Sequence, residues 1–314
     1  MPAAVFFAAP PHLWPVYAPH LRAALAEAGV AAEVSPEAPD PAAVDYIVWG
    51  PGGVIADFRP YSRARAVLNL WAGVERIVGN PTLTQPLCRM VDPAMTASMT
   101  EWVVAHVMRH HVGTDTHVLG QDGIWRHDDT ALPPLAPERP VTILGFGELG
   151  QAAGRALAAL GFPVTGWSRG AREVAGFRCL HGPAGLVQAL NGAQVVVTLL
   201  PRTPETENML NAGTLALLAP GAVVINPGRG QIIDDAALIA ALDAGHLAHA
   251  TLDVFREEPL PPAHPFWAHP KVTVTPHIAA TTRPDTASRV LAENIRRAEA
   301  GEPLLHLVDP TRGY

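Results

Sequence analysis

The sequence is poor in cysteine, in charge and in long apolar runs, and each scarcity excludes something. Its two cysteines, Cys88 and Cys179, lie far apart. They form neither a disulfide framework nor a zinc-ligand spacing, so a reducing compartment is expected. Charged residues make up only 16% of the chain, and the net charge of −7 comes with no basic block. An extended nucleic-acid surface is therefore excluded, although a local positive pocket for an anionic substrate is not. No stretch approaches the ~18 uninterrupted apolar residues of a membrane span. The start, Met1-Pro-Ala-Ala-Val-Phe-Phe, lacks the positive n-region of a secretory signal. Together these absences predict a cytoplasmic protein. Hydrophobic residues, at 48%, and prolines, at 32, are plentiful. The prolines fall between apolar runs, as at Pro10-Pro11, Pro133-Pro134 and Pro261-Pro262, where they stiffen loops.

A length of 314 residues predicts two domains, each with an adequate core. Strand and helix signals alternate from the start: strands over 4–8, 44–49, 66–71 and 76–78, and a helix over 19–28 closed by Gly29. A long helix follows over 96–112, then a polar, proline-rich connection over 128–140. A second alternating series has strands over 141–144, 164–167, 194–199, 222–226, 248–254 and 272–275. Helices over 151–160, 184–190, 211–218 and 235–244 lie between them. The fold class is α/β, with two Rossmann-like doubly wound domains. A last helix over 285–300 is expected to return to the first domain. This divides the chain into a discontinuous domain, 1–97 with 285–314, around an inserted cofactor domain, 98–284.

The inserted domain opens with Gly145-Phe-Gly-Glu-Leu-Gly150, between the apolar run Val141-Thr-Ile-Leu144 and an alanine-rich helix. Strand, G-x-G-x-x-G and helix in this order form a dinucleotide-binding turn. Gly145 permits the turn, Gly147 admits a pyrophosphate, and Gly150 lets the helix pack on the strand, with Glu148 and Leu149 opening the helix. A further absence selects the ligand. NAD sites carry an acid at the end of the second strand to hold the ribose 2′-hydroxyl. Here that strand ends in Ser168-Arg169, with Arg172 nearby. An acid would repel a 2′-phosphate, whereas an arginine fork pairs with one. NADP(H) is therefore favoured over NAD(H), against the reading of Arg169 as a solvated loop residue.

Four further stretches accompany the turn in order: Leu200-Pro-Arg-Thr-Pro-Glu-Thr206, Asn226-Pro-Gly-Arg-Gly230, Leu252-Asp-Val-Phe-Arg-Glu-Glu-Pro259 and Thr275-Pro-His-Ile-Ala279. With them the whole chain resembles the D-isomer-specific 2-hydroxyacid dehydrogenase family. Leu70-Trp-Ala-Gly-Val74, Trp167-Ser-Arg169 and the short chain look like its NADPH-preferring glyoxylate/hydroxypyruvate reductase branch. The resemblance implies reduction of a small 2-oxo acid and a homodimer using the helix that begins near Thr96. It also leaves open a broader enzyme for larger acids such as phenylpyruvate, or a cofactor-sensing protein like the related corepressors.

The chemistry of such a reduction can be assigned to residues. Arg229, between two glycines past a strand end, suits a 2-oxo acid carboxylate and its keto oxygen. His277, after Pro276 at another strand end, is the candidate proton donor. Glu258 is its expected partner, because the family pattern places the acid directly before this proline; a carboxylate there would favour imidazolium and orient the ring. The resemblance further implies that backbone amides at Ala72 and Gly73 hold the substrate carboxylate and that Pro201 and Thr203 line the nicotinamide side. Trp49 is either a substrate wall or a buried structural residue. Asp253 either meets the carboxamide or makes a structural hydrogen bond. His106 and His110, one helical turn apart, and His111 have a metal-like spacing. No acid or cysteine completes the set, so an amphipathic or subunit-contact helix is expected and no metal.

Overall fold

The computed structural model describes residues 2–125 and 134–309. Its contacts divide into two compact units, Met1–Met95 with Thr281–Tyr314, and Thr96–Ala280.

The first unit begins with β1 (Ala3–Phe7), α1 (Trp14–Glu27), β2 (Ala32–Ser35), β3 (Tyr46–Trp49), β4 (Ala66–Asn69) and β5 (Leu87–Cys88). The strands form one sheet in the order β2-β1-β3-β4-β5, all parallel. β3 and β4 are central and buried at every position, as apolar runs in a parallel sheet must be. The strand expected over 76–78 is absent: the Val74 carbonyl accepts from both Ile77 and Val78 amides and closes a turn there. β5 takes the sheet edge instead.

The second unit holds α2 (Pro93–His111, its first residues shared with the unit before), α3 (Thr114–Leu119), β6 (Val141–Leu144), α4 (Glu148–Ala159), β7 (Val164–Ser168), β8 (Arg178–His181) and α5 (Gly182–Leu190). It continues with β9 (Val195–Thr198), α6 (Ala212–Leu215), β10 (Ala222–Asn226), α7 (Asp235–Asp243), β11 (Leu247–Leu252) and β12 (Val272–Val274). Its sheet runs β12-β11-β10-β9-β6-β7-β8, again parallel. β6 lies between β9 and β7, with Leu144 paired to Thr198 on one side and Trp167 on the other. The strand order reverses at the β6–β9 boundary, the switch point where open α/β sheets bind ligands. Of the connection expected over 128–140, residues 128–133 lie outside the described residues, and a short 3-10 turn covers Ala136–Glu138.

The chain then returns to the first unit as α8 (Pro284–Glu299). Ala287, Leu291, Ala292 and Ile295 of α8 join Leu21 and Leu25 of α1 in one buried cluster beneath the first sheet.

Candidate active site

The glycine turn sits at the switch point. Gly145 has φ +99°, and a Cβ there would collide with the backbone of Leu199. A Cβ on Gly150 would strike the Gly145 carbonyl, so the helix could not pack so closely on the turn. Gly147 differs, because a Cβ there would meet no protein atom within 4 Å. The fold itself does not demand a glycine at 147, whereas a ligand lying against that backbone does. Gly147 also caps α4 without a side-chain hydrogen bond, leaving the helix start to an anion. Glu148 is exposed at this start, and Leu149 packs inward on the core. These features fit a dinucleotide pyrophosphate.

Two loops flank the turn. After β7, the Ser168 hydroxyl donates to the Gly170 carbonyl at 2.9 Å. Arg172 Nη1 donates to the Phe146 carbonyl at 3.0 Å, so this arginine braces the turn itself. After β9, Thr206 was not singled out by the sequence, yet its Oγ1 donates to the Pro201 carbonyl at 2.8 Å and accepts from the Thr203 amide at 2.9 Å. Thr206 thereby fixes the loop of Pro201 and Thr203. Glu205 on this loop is held below the ordinary carboxylate range, first by the Thr203 hydroxyl, then by its own backbone amide, with the Arg169 charge adding. Arg169 thus stands within electrostatic reach of the opposite loop.

Arg229 follows β10. Buried Asn226 shapes its approach: Nδ2 donates to the Arg229 carbonyl at 3.0 Å, while Oδ1 accepts from the Gly228 amide at 3.0 Å and from Thr198 Oγ1 at 2.5 Å. A Cβ on Gly228 would lie 2.9 Å from the Thr198 carbonyl, and one on Gly230 would overlap the Phe255–Arg256 peptide. Both glycines flanking Arg229 are therefore packing requirements. The Arg229 Nη1 donates to the Gly228 carbonyl at 2.7 Å.

The Glu258–His277 pair forms: His277 Nδ1 lies 2.8 Å from Glu258 Oε2. Glu258 Oε1 accepts from the Phe255 amide at 2.9 Å, which orients the carboxylate. Burial pushes the Glu258 carboxyl up, but the hydrogen bonds from His277 and Phe255 and the charges of His277 and Arg229 outweigh it. The carboxyl is held below its ordinary value. His277 itself is half exposed.

Asp253 places that histidine. It is fully buried, and its Oδ1 accepts from Thr275 Oγ1 at 2.6 Å and the Ile278 amide at 2.9 Å. Its Oδ2 accepts from the Ala279 amide at 2.9 Å, and its carbonyl from the His277 amide at 2.8 Å. Both oxygens of Asp253 are engaged by the 275–279 loop and none of the side chain is exposed, so of its two readings the structural one is favoured.

In the first unit, Trp49 is a core residue. It is 7% exposed, lies in a cluster with Phe58 and Ile77, and its indole N–H donates to the Ile55 carbonyl at 3.3 Å. Of its two readings the structure favours the buried one. Ala72 and Gly73 lie in the loop after β4. Asn69 Nδ2 donates to the Trp71 and Gly73 carbonyls, both at 2.8 Å. This fixes the carbonyls of the loop, and the Ala72 and Gly73 amides make no hydrogen bond among the described residues.

The three helical histidines take separate partners. His106 packs on Trp102, His111 on Phe162, and His110 on His249 with ring centroids 4.8 Å apart. His110 Nε2 pairs with Thr251 Oγ1 and His249 Nε2 with Thr273 Oγ1, each at 2.8 Å. Among the described residues no three His, Cys, Asp or Glu side chains group for a metal. Burial pushes His110 down to about 3, with His249 and Arg109 adding, and His249 down to about 4, with Arg109 adding. The unfolded chain takes up these protons near pH 6.5 while the folded chain does not. Stability is thus expected to fall between pH 6.5 and 4, by roughly 1–2 kcal/mol per ring at pH 5. Thermal unfolding across this range checks it: a His110→Gln, His249→Gln double variant should show a shallower decline, and an equally steep one would refute the assignment.

Known proteins are similar to this chain in sequence and fold. A model of the D-isomer specific 2-hydroxyacid dehydrogenase NAD-binding domain matches residues 102–279. A glyoxylate/hydroxypyruvate reductase A of Serratia proteamaculans is 40% identical over 283 residues, covering 86% of this chain and 88% of the relative. The structure of a D-isomer specific 2-hydroxyacid dehydrogenase from Xanthobacter autotrophicus Py2, in complex with NADPH and MES, aligns with a TM-score of 0.91 at 40% identity over 100% of both chains. An NADPH-dependent glyoxylate/hydroxypyruvate reductase from Sinorhizobium meliloti, in complex with NADP and sulfate, aligns with a TM-score of 0.86 at 35% identity, covering 100% of this chain and 99% of that one. The matched domain contains the glycine turn, Arg229 and the Glu258–His277 pair, and the chain belongs to the D-isomer specific 2-hydroxyacid dehydrogenase family.

Proposed function

We propose that this chain reduces a small 2-oxo acid, glyoxylate or hydroxypyruvate, to its 2-hydroxy acid with NADPH. The observation that carries the reading is the 2.8 Å contact between His277 Nδ1 and Glu258 in the electrostatic field of Arg229. The names of the similar reductases and the NADP(H) in the similar structures support it.

The cofactor supplies a hydride to the carbonyl carbon, and this chain's residues do the rest. The Gly145–Gly150 turn and the start of α4 hold its pyrophosphate, and Ser168 and Arg169 hold the 2′-phosphate, with Arg172 bracing the turn. Pro201 and Thr203 line the nicotinamide side. Arg229 grips the substrate carboxylate and draws electron density onto the keto oxygen. His277, anchored through Nδ1, gives the proton on Nε2 to that oxygen while Glu258 stabilises its charged form. A homodimer belongs to the same proposal: Val118, Leu119, Ile124 and Trp125 present apolar surface after α2, and the mass in solution tests it.

Steady-state rates for glyoxylate, hydroxypyruvate, pyruvate and phenylpyruvate with NADPH and NADH test the reading. The first two acids with NADPH should give the highest kcat/KM, and turnover of none would refute it. A phenylpyruvate preference would replace the substrate class. Ser168→Asp with Arg169→Ala should reverse the NADPH/NADH ratio, and an unchanged ratio would remove these residues from 2′-phosphate recognition.

A further inference from the structure

Arg256 stands where three loops of the second unit meet, and neither its motif nor its charge marks it out. Its Nη2 donates to the Ile233 carbonyl at 2.5 Å and to Asn208 Oδ1, with the Gln231 carbonyl at 3.5 Å. In return Gln231 Nε2 donates to the Arg256 carbonyl at 3.2 Å. The backbone of Gly230 lies against the Phe255–Arg256 peptide so closely that no Cβ would fit. Glu207 and Asp235 are ion partners at 3.7 Å each. The Arg256 side chain is one-third exposed, so these pairs contribute little by charge, and the bonds to fixed carbonyls set the geometry.

The joined segments matter because of what they carry. Gln231 lies two residues after Arg229, and Arg256 two residues before Glu258. Asn208 closes the loop that begins at Pro201, and its amide donates to the Gln231 carbonyl at 2.9 Å. Asn226 fixes the Arg229 segment from one side, and Arg256 with Gln231 fixes it from the other.

We propose that Arg256 is a positioning residue that holds the Arg229 segment in register with the Glu258–His277 pair. Its role rests on the proposed reduction of a 2-oxo acid. Arg256 touches no reacting atom in this scheme; it acts through Arg229. Lysine does not replace it, because its Nζ lies one bond short of the Nη2 that reaches Ile233 and Asn208, and a single ammonium does not also present Nε to Asp235 and Nη1 to Glu207.

Kinetics of Arg256→Lys, Arg256→Ala, Arg229→Ala and the Arg229→Ala, Arg256→Ala double variant test this. Arg256→Lys should keep the thermal midpoint and NADPH affinity of the parent but lose about tenfold or more in kcat/KM for the 2-oxo acid, since small misplacements of a binding group are costly. In the Arg229→Ala background, Arg256→Ala should change kcat/KM by no more than about twofold, because the two act as one unit. Parental kinetics in Arg256→Lys, or an equal loss with and without Arg229, overturns the proposal. Arg256→Lys decides alone should the alanine variants fail to fold. Absence of turnover in the parent overturns the reduction reading and this role with it, a result distinct from the other two.

Discussion

His277→Ala is expected to lower kcat for 2-oxo acid reduction by about 10²–10⁴-fold, the usual contribution of a positioned general acid. NADPH affinity should stay within about twofold, since the ring is placed for proton transfer and not for phosphate or ribose. The argument rests on which nitrogen is engaged. Nδ1 faces Glu258 at 2.8 Å, and the half-exposed ring leaves Nε2 with no hydrogen bond among the described residues. Nε2 is then the atom that gives the proton to the keto oxygen. Glu258→Gln keeps the shape of the contact and removes its charge. It should lower kcat while NADPH affinity stays near the parent value, because the contact that fixes the ring through Nδ1 loses its charge assistance. Stopped-flow turnover and NADPH fluorescence titration check both variants. An alanine variant within threefold of the parent kcat would remove His277 as the acid.

How much of this was legible in the sequence varied with burial. β6 and β10 read directly as strands because both faces of a central parallel strand are covered, which leaves Val-Thr-Ile-Leu and Ala-Val-Val-Ile-Asn as apolar runs. β2 and β8 did not read as strands. They are sheet edges, Ala-Glu-Val-Ser and Arg-Cys-Leu-His, in which polar residues interrupt the apolar ones and a single residue of β2 and none of β8 is fully buried, so no run forms. α2 begins at Pro93, three residues before the expected start. The missed signal was Asp92-Pro93, in which Asp92 Oδ1 accepts from the Ala94 amide at 3.0 Å and proline occupies the first helical position. α1 reaches back to Trp14 despite Pro19 within it, where a helix-breaking residue argued for a later start. At the site, Arg229, Glu258 and His277 were readable because strand ends and motif spacing mark them. The roles of Thr206, Asn226 and Arg256 were not, because Thr206 and Asn226 bond backbone groups within their own turns, whose geometry residue type alone does not specify, and Arg256 reaches carbonyls of loops distant in sequence. Only the fold shows which loops those are.

Asp253 carries the second large effect. Asp253→Asn is expected to destabilise the chain by about 2–4 kcal/mol, the cost of weakening charge-assisted bonds and orphaning a buried donor. The side chain accepts three hydrogen bonds, from Thr275 Oγ1 and from the Ile278 and Ala279 amides. An asparagine oxygen replaces at most one carboxylate oxygen, and its NH2 then opposes an amide N–H. The loop so loosened holds His277 at φ +55°, a left-handed conformation that a non-glycine residue adopts at a cost and keeps only while its surroundings enforce it. Relaxation of this residue swings the ring away from Glu258. kcat should then fall by about 10²-fold, the scale of a 1 Å misplacement. The same variant separates the two readings of Asp253. A residue that clamps the catalytic loop loses thermal midpoint and kcat while NADPH affinity stays near the parent value. A residue that holds the carboxamide weakens NADPH binding while the fold persists. Calorimetry beside an NADPH titration distinguishes them, and weak cofactor binding at an unchanged midpoint would return Asp253 to the cofactor.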